Sequence, residues 1–255
     1  EGSLSIAGIG GRAELLVDGG AVHSTHAEIG NSLGVSGLGT TTLTNAGFWE
    51  IEKTLNEGAS TPETSLTIAG GQLLIGDSLG APGEEVNILE TTLRVGTGDE
   101  LAGTLTITGA SILAMGRNRV EIGRDGFGAF VISAGGQFIG ASQLILGESY
   151  LDEGARDVLD DATVVVTGFS PDAASGDPNA RSSLVMSEGP NDIYEISIAD
   201  RGEMFVEAGA LVEVPFLTIS GEAQSQGRLV VNGTGNQLAS TLIARQISLG
   251  HYSAT

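Results

Sequence analysis

Short runs in which apolar residues alternate with small or polar ones recur along this chain, and each run ends near a glycine. Leucine, isoleucine or valine alternates with threonine, serine or alanine, which is the period of a strand with one buried face. Helical periodicity is nearly absent, and glycine, asparagine and aspartate separate the runs, so the pattern predicts an all-β protein of short strands and turns. The copies are residues 4–8, 15–20, 43–47, 66–71, 105–110, 130–136, 164–168 and 229–233.

A second, shorter motif follows several of these strands and consists of an aliphatic residue, a glycine and a polar residue. It occurs at 29–31, 75–77, 95–97, 122–124, 146–148 and 249–251. Tight corners need positive φ angles or close backbone approach, which glycine adopts freely. We therefore expect corners at Gly30, Gly76, Gly96, Gly123, Gly147 and Gly250.

The strand motif repeats about every 25 residues, with occasional longer intervals. Repeats of this length are typical of solenoids, and the low aromatic content of 4% argues against a propeller. The sequence thus predicts one domain over residues 1–255, a parallel β-helix (β-solenoid) of about ten coils that is a part or subunit of a longer rod. The residues expected to stack as its internal ladder are Ile6, Val17, Leu43, Ile68, Ile107, Ile132, Val166 and Val231.

Polar insertions interrupt the repeats near 54–64, 77–85, 148–161 and 170–182, and we expect them to project as loops. The densest acidic stretch falls in the third insertion. It is either a solvated loop or a candidate interaction loop that binds calcium or a partner through Asp152, Glu153, Asp157, Asp160 and Asp161.

Three segments resemble the passenger repeats of bacterial autotransporters (type V secretion). They are residues 103–111 (GTLTITGAS), 122–124 (IGR) and 129–136 (AFVISAGG), and the resemblance is clearest from about 65 to 148. It implies a right-handed parallel β-helix that crosses the outer membrane behind a C-terminal β-barrel. It implies no particular activity, because many passengers share the scaffold and differ in what they bind.

Charge and cysteine content limit which partners the chain can bind and which cellular compartment suits it. The chain has 32 acidic and 11 basic residues, a net charge of -21, and it would repel both nucleic acid and anionic membranes. It has no cysteine, which excludes disulfides and thiol chemistry and suits an oxidising extracellular compartment. Because it does not begin with Met, we expect a processed form or a piece of a longer protein at the bacterial cell surface.

Few residues suggest site chemistry. His23 and His26 stand three apart in a segment that reads as a turn after a strand, and no third metal ligand is evident. Residues 96–101 bear a faint resemblance to a calcium-binding nonapeptide that occurs only once, whereas calcium rolls need such repeats in tandem. Phe48 and Trp49 are either buried in the stack or exposed as a binding anchor. No cofactor is predicted, and calcium is the one ion left open.

Three function classes remain. The first is an extracellular adhesin or passenger stalk that presents loops to a host or neighbouring cell surface, matrix or glycans. The second is a subunit of an extracellular filament or matrix that assembles with further copies of itself by end-to-end stacking of coils. The third, less favoured, is a polysaccharide lyase or hydrolase, and we expect the chain not to be an enzyme.

Overall fold

The repeats fold into stacked coils of parallel strands. The computed structural model describes residues 2–6, 12–30, 38–58, 65–75, 92–96, 102–109, 111–115, 119–123, 126–147, 161–186, 194–199, 201–219 and 226–249. These residues form two all-parallel sheets of 13 and 8 strands and one two-stranded antiparallel ribbon. The architecture is all-β and consistent with a parallel β-helix, as the alternating pattern predicts. No helix among the described residues is long and apolar enough to span a membrane.

The strands are short, and one 3₁₀ turn, Pro178–Ala180, accompanies them. In chain order they are β1 (Ser3–Ile6), β2 (Arg12–Asp18), β3 (Ala21–Gly30), β4 (Leu38–Thr44), β5 (Phe48–Gly58), β6 (Ser65–Ala69), β7 (Gln72–Ile75), β8 (Thr92–Val95), β9 (Ala102–Thr108), β10 (Ile112–Met115), β11 (Arg119–Ile122), β12 (Phe127–Ser133), β13 (Gln137–Gly140), β14 (Gln143–Leu146), β15 (Asp161–Thr167), β16 (Ser183–Val185), β17 (Glu195–Ile198), β18 (Gly202–Glu207), β19 (Leu211–Ile219), β20 (Arg228–Asn232), β21 (Thr234–Gly235), β22 (Leu238–Ala239) and β23 (Thr241–Leu249).

Each coil passes through three faces. The first face is the eight-stranded sheet, in the order β2-β4-β6-β9-β12-β15-β18-β20. The second face stacks the N-terminal half of β3 and of β5, then β7, β10, β13, β16 and the N-terminal halves of β19 and β23. The third face stacks β1, the C-terminal halves of β3 and β5, then β8, β11, β14, β17 and the ends of β19 and β23. The four long strands join the last two faces into the 13-stranded sheet.

The predicted ladder residues largely follow one another in register on the first face. Six of them pair in register from one coil to the next, in the order Val17, Leu43, Ile68, Ile107, Ile132 and Val166. Val206, which the sequence analysis did not single out, lies between Val166 and Val231. Ile6 lies instead on the third face opposite Ile29, because β1 pairs with β3. Val231, in the last described strand of the column, is 44% exposed.

The core fills the space between the three faces. Phe130 and Phe138 are fully buried and meet edge to face, with ring centroids 5.5 Å apart. Trp49 is also fully buried, and its indole N–H donates to Ser24 Oγ at 3.2 Å. Phe48 is only partly buried, because the next residue of a strand points to the opposite side. The alternative of an exposed Phe48-Trp49 anchor is therefore wrong for Trp49.

Insertions lengthen several coils. Val166 and Val206 are neighbours in the column although 40 residues separate them in sequence. The described residues contribute eight stacked strands to the first face. The segment 54–58, expected to begin a loop, continues β5 in register with β8.

Candidate interaction surface

Four of the six predicted corner glycines lie among the described residues, and each has positive φ. The angles are 85° at Gly30, 58° at Gly96, 61° at Gly123 and 68° at Gly147. A Cβ at Gly123 would lie 2.5 Å from the carbonyl oxygen of Asp161 in the next coil. This corner therefore needs glycine both for its conformation and for the close approach of the next coil. Gly76 and Gly250 lie outside the described residues.

The acidic candidate loop is mostly outside the described part of the chain, which leaves out Asp152, Glu153, Asp157 and Asp160. Asp161 is the first residue of β15, where it is exposed and in register with Phe127. The insertion at 77–85 and the calcium-like residues 97–101 are also outside it.

The insertion at 170–182 is described in full and forms an ordered projection, which we call the pinned loop (residues 168–182). A bridge between Phe169 and Arg181 closes its base, and Ser170 N–H donates to Ala180 O at 2.8 Å. Near its end Asp177 Oδ1 accepts from the backbone N–H of Asn179 at 2.9 Å and caps the 3₁₀ turn.

Arg181 fastens the pinned loop to the two following coils. Its Nε donates to Gly209 O at 2.7 Å, and its Nη2 donates to Thr241 Oγ1 at 3.1 Å and to Ala239 O. An arginine has several donors in a rigid planar fork, so one side chain can bridge turns of separate coils.

The ribbon β21–β22 supports the same loop from the side. Asn236 Nδ2 donates to Ala174 O at 2.8 Å, and Gly176 N–H donates to Asn236 O at 3.0 Å. The Phe169 ring lies against Gly209 and Gly235, and a Cβ at Gly209 would lie only 2.4 Å from its Cε2 atom. The loop is therefore held at its base, at its middle and along one side.

Serines join successive coils at the corner between the first and second faces, and two of them, Ser111 and Ser182, are fully buried. Gly70 N–H donates to Ser111 Oγ at 2.6 Å, Gly135 N–H to Ser182 Oγ at 3.0 Å, and Gly209 N–H to Ser240 Oγ at 2.9 Å. In each pair the serine stands one coil beyond the glycine. Sequence reasoning missed these serines, although each one directly precedes a strand of the second face.

On the outward side of the first face, three rows of residues carry no charge over five consecutive strands. We call this surface the threonine face. It comprises three outward rows of β4, β6, β9, β12 and β15, every member is partly exposed, and nine of its fifteen residues are threonine. Its residues are Thr40, Thr42, Thr44, Ser65, Thr67, Ala69, Thr104, Thr106, Thr108, Ala129, Val131, Ser133, Thr163, Val165 and Thr167.

Charged residues border the threonine face. Glu14 and Asp18 occupy its rows on β2, and Glu203 and Glu207 occupy them on β18. A fourth row, where the strands begin, includes Phe127 and the exposed Asp161.

The third face carries a buried carboxylate between two arginines. Glu121 Oε2 lies 3.0 Å from Arg94 Nε, and Glu121 Oε1 lies 2.8 Å from Arg119 Nε. The Glu121 side chain is 3% exposed, against 42% for Arg94 and 18% for Arg119. Such a triad compensates the cost of burying Glu121 and ties β8 to β11.

The two histidines lie within β3 rather than in a turn, which corrects the expectation for this segment. The strand passes the corner with a register irregularity between Ser24 and His26, so it continues where the sequence suggests a break. His23 Nδ1 lies 2.7 Å from Glu50 Oε2, and the ring packs edge-on against Phe48. No group of three or more potential metal ligands comes together among the described residues.

Comparisons with known proteins do not assign the chain to a family. No protein-family model, no curated protein and no solved structure matches the chain.

Proposed function

We propose that this chain is an extracellular structural and adhesive β-solenoid of a bacterial surface protein, a rigid rod that presents loops as an adhesin or passenger stalk. The observation that carries the proposal is the pinned loop, which Arg181 bonds to Gly209, Ala239 and Thr241 in the two following coils. A loop that served only as a connection would not need bonds to coils that it does not connect.

Rigidity gives the pinned loop a physical advantage in binding. Ordering a flexible loop on binding costs roughly 0.5–1.5 kcal/mol per immobilised side chain, which weakens association. Here the bonds from Asn236 and Arg181 order the backbone in advance. The tip nevertheless stays accessible, because Pro171, Asp172, Ala174 and Ser175 are exposed.

The net charge of -21 supports the extracellular part of the proposal. Strong like charge keeps a long apolar stack from associating nonspecifically with other acidic macromolecules. The partners that fit are a host or neighbouring-cell surface, extracellular matrix or glycans with neutral or basic contact sites.

An adhesion assay tests this function. Beads coated with the whole chain are expected to adhere to cell, matrix or glycan surfaces more than beads coated with an unrelated acidic protein. A variant in which residues 171–176 are replaced by glycine and serine should lose most of this adhesion, because the presented surface is removed while Arg181 stays in place.

The matched control is Gln237→Ala, which changes an exposed residue of the supporting ribbon outside the tip. It should adhere like the parent. The proposal is wrong if the parent chain adheres to none of the surfaces, or if loop replacement leaves adhesion unchanged in a variant with the parent's melting curve.

A further inference from the structure

The threonine face is uncharged on a molecule that is otherwise strongly acidic. None of its fifteen outward positions is charged, although 17% of the residues of the chain are. Charge returns on both flanking strands, at Glu14 and Asp18 and at Glu203 and Glu207. Solubility alone would favour charges on an exposed sheet, so the neutral patch requires another explanation.

The same face is a regular two-dimensional array. Equivalent residues of its five strands recur in straight rows, such as Thr42, Thr67 and Thr106, except where Thr44 bridges Gly70 at the end of β4. Neighbouring strands are about 4.8 Å apart, and alternate residues along one strand are about 6.6 Å apart. Most members are β-branched, with a restricted side-chain rotamer, so hydroxyl and methyl groups are held in place before any contact is made.

Most partner classes do not suit this array. A polyanion needs cations, and the face has none. Sugar rings bind on aromatic platforms, and none of the fifteen residues is aromatic. A globular protein surface does not repeat at the strand spacing, so it could engage only a few of the equivalent hydroxyls.

The surface of ice is itself a regular lattice, so it presents repeating oxygen positions to the repeating hydroxyls of the face. We propose that the threonine face is an ice-binding surface. Threonine hydroxyls such as that of Thr106 replace water molecules of the outermost ice layer, while the methyl groups fill the spaces between them. The lack of charge matters because an ionised side chain holds its own hydration shell and would disturb the ordered water.

Partition into growing ice tests the proposal with the whole chain. The parent protein is expected to be enriched in a slowly grown ice hemisphere relative to an acidic protein that does not bind ice. Thr106→Lys, at the centre of the face, should lose this enrichment and any thermal hysteresis. Thr106→Ser and Thr106→Val separate the contributions of the methyl and hydroxyl groups.

Gln137→Lys is the matched control, because it adds the same charge at a partly exposed position of the second face. It should leave ice partition unchanged, and all variants should keep the parent's circular dichroism spectrum. The inference is overturned if the parent chain is excluded from ice, if Thr106→Lys partitions like the parent, or if the chain binds insoluble cellulose or chitin but not ice. None of these results bears on adhesion through the pinned loop.

Discussion

Thr41 occupies an interior position of the first face, between Leu15 and Leu66, where the other residues of its column are apolar. It is 1% exposed, and its Oγ1 has no hydrogen-bond partner among the residues that the structure describes. An unsatisfied buried hydroxyl costs about 1–3 kcal/mol. We therefore expect Thr41→Val, which keeps the shape of the side chain, to raise the free energy of unfolding by about 1 kcal/mol in urea titrations.

Thr42→Val is the control for this prediction, because Thr42 belongs to the partly exposed threonine face. It should change stability little. A loss of stability in Thr41→Val would show that the hydroxyl is satisfied by a group such as a buried water molecule.

A second prediction at the residue scale concerns Glu121. Its carboxylate is almost fully buried between Arg94 and Arg119. Removing one partner from a buried charged cluster leaves the others uncompensated and costs several kcal/mol. Because Arg94 remains partly solvated, we expect Glu121→Gln to lower the unfolding free energy by about 2 kcal/mol in chemical denaturation.

Glu203→Gln tests whether burial is the cause. Glu203 pairs with Arg228 at 3.2 Å, but both side chains are well exposed, by 40% and 61%. Exposed pairs contribute about 0–1 kcal/mol, so this substitution should have little effect. Equal losses in the two variants would contradict the importance of burial at Glu121.

Alternation shows which residues of a strand point inward, and this sufficed to place Val17, Leu43, Ile107 and Ile132 in one column. It does not show which residues meet across coils. Glu121 and Arg94 are 27 residues apart, and their contact depends on how many residues the intervening loop contains. Val206 could have been predicted as a ladder residue from the sequence. Ala208 and Gly209 follow it at the same spacing at which Ala134 and Gly135 follow Ile132.

At the scale of elements, the serine bonds at the corner connect consecutive coils. Ser182 is fully buried and accepts from the backbone N–H of Gly135 at 3.0 Å. Ser182→Ala would leave that buried N–H without its acceptor, which costs about 1–3 kcal/mol. We expect a lower melting temperature and faster hydrogen exchange at Gly135, measured by mass spectrometry.

Ser183→Ala provides the comparison, because the adjacent residue points outward and is partly exposed. It should melt like the parent chain. If Ser182→Ala also melts like the parent, water replaces the hydroxyl and the corner does not depend on the serine.

The strands of the first face were predictable because a regular alternation is read directly from the sequence. The strands of the other two faces were less so. In β3 and β5 the chain turns the corner without breaking the strand, so residues 23–26 resemble a turn and 54–58 resemble the start of a loop. The pinned loop was predictable as an insertion, but its bonds to Gly209 and Asn236 depend on coils that come later in sequence.

For the whole molecule, a solenoid is a one-dimensional stack in which each coil contacts only its neighbours. Damage to one coil should therefore spread to adjacent coils and weaken with distance. Ile132→Asp tests this, because Ile132 is fully buried between Ile107 and Val166, and an unpaired buried charge is strongly unfavourable. We expect hydrogen exchange to rise most in β9, β12 and β15 and least in β2 and β20.

Val131→Asp is the companion variant, since Val131 is the neighbouring residue on the outward side of the same strand. It should keep the parent's exchange pattern, because its carboxylate stays in water. If Ile132→Asp instead unfolded every strand equally, the coils would behave as one cooperative unit, and the rod would transmit a local defect along its whole length. If it changed nothing, the interior placement of the Ile132 column would be wrong.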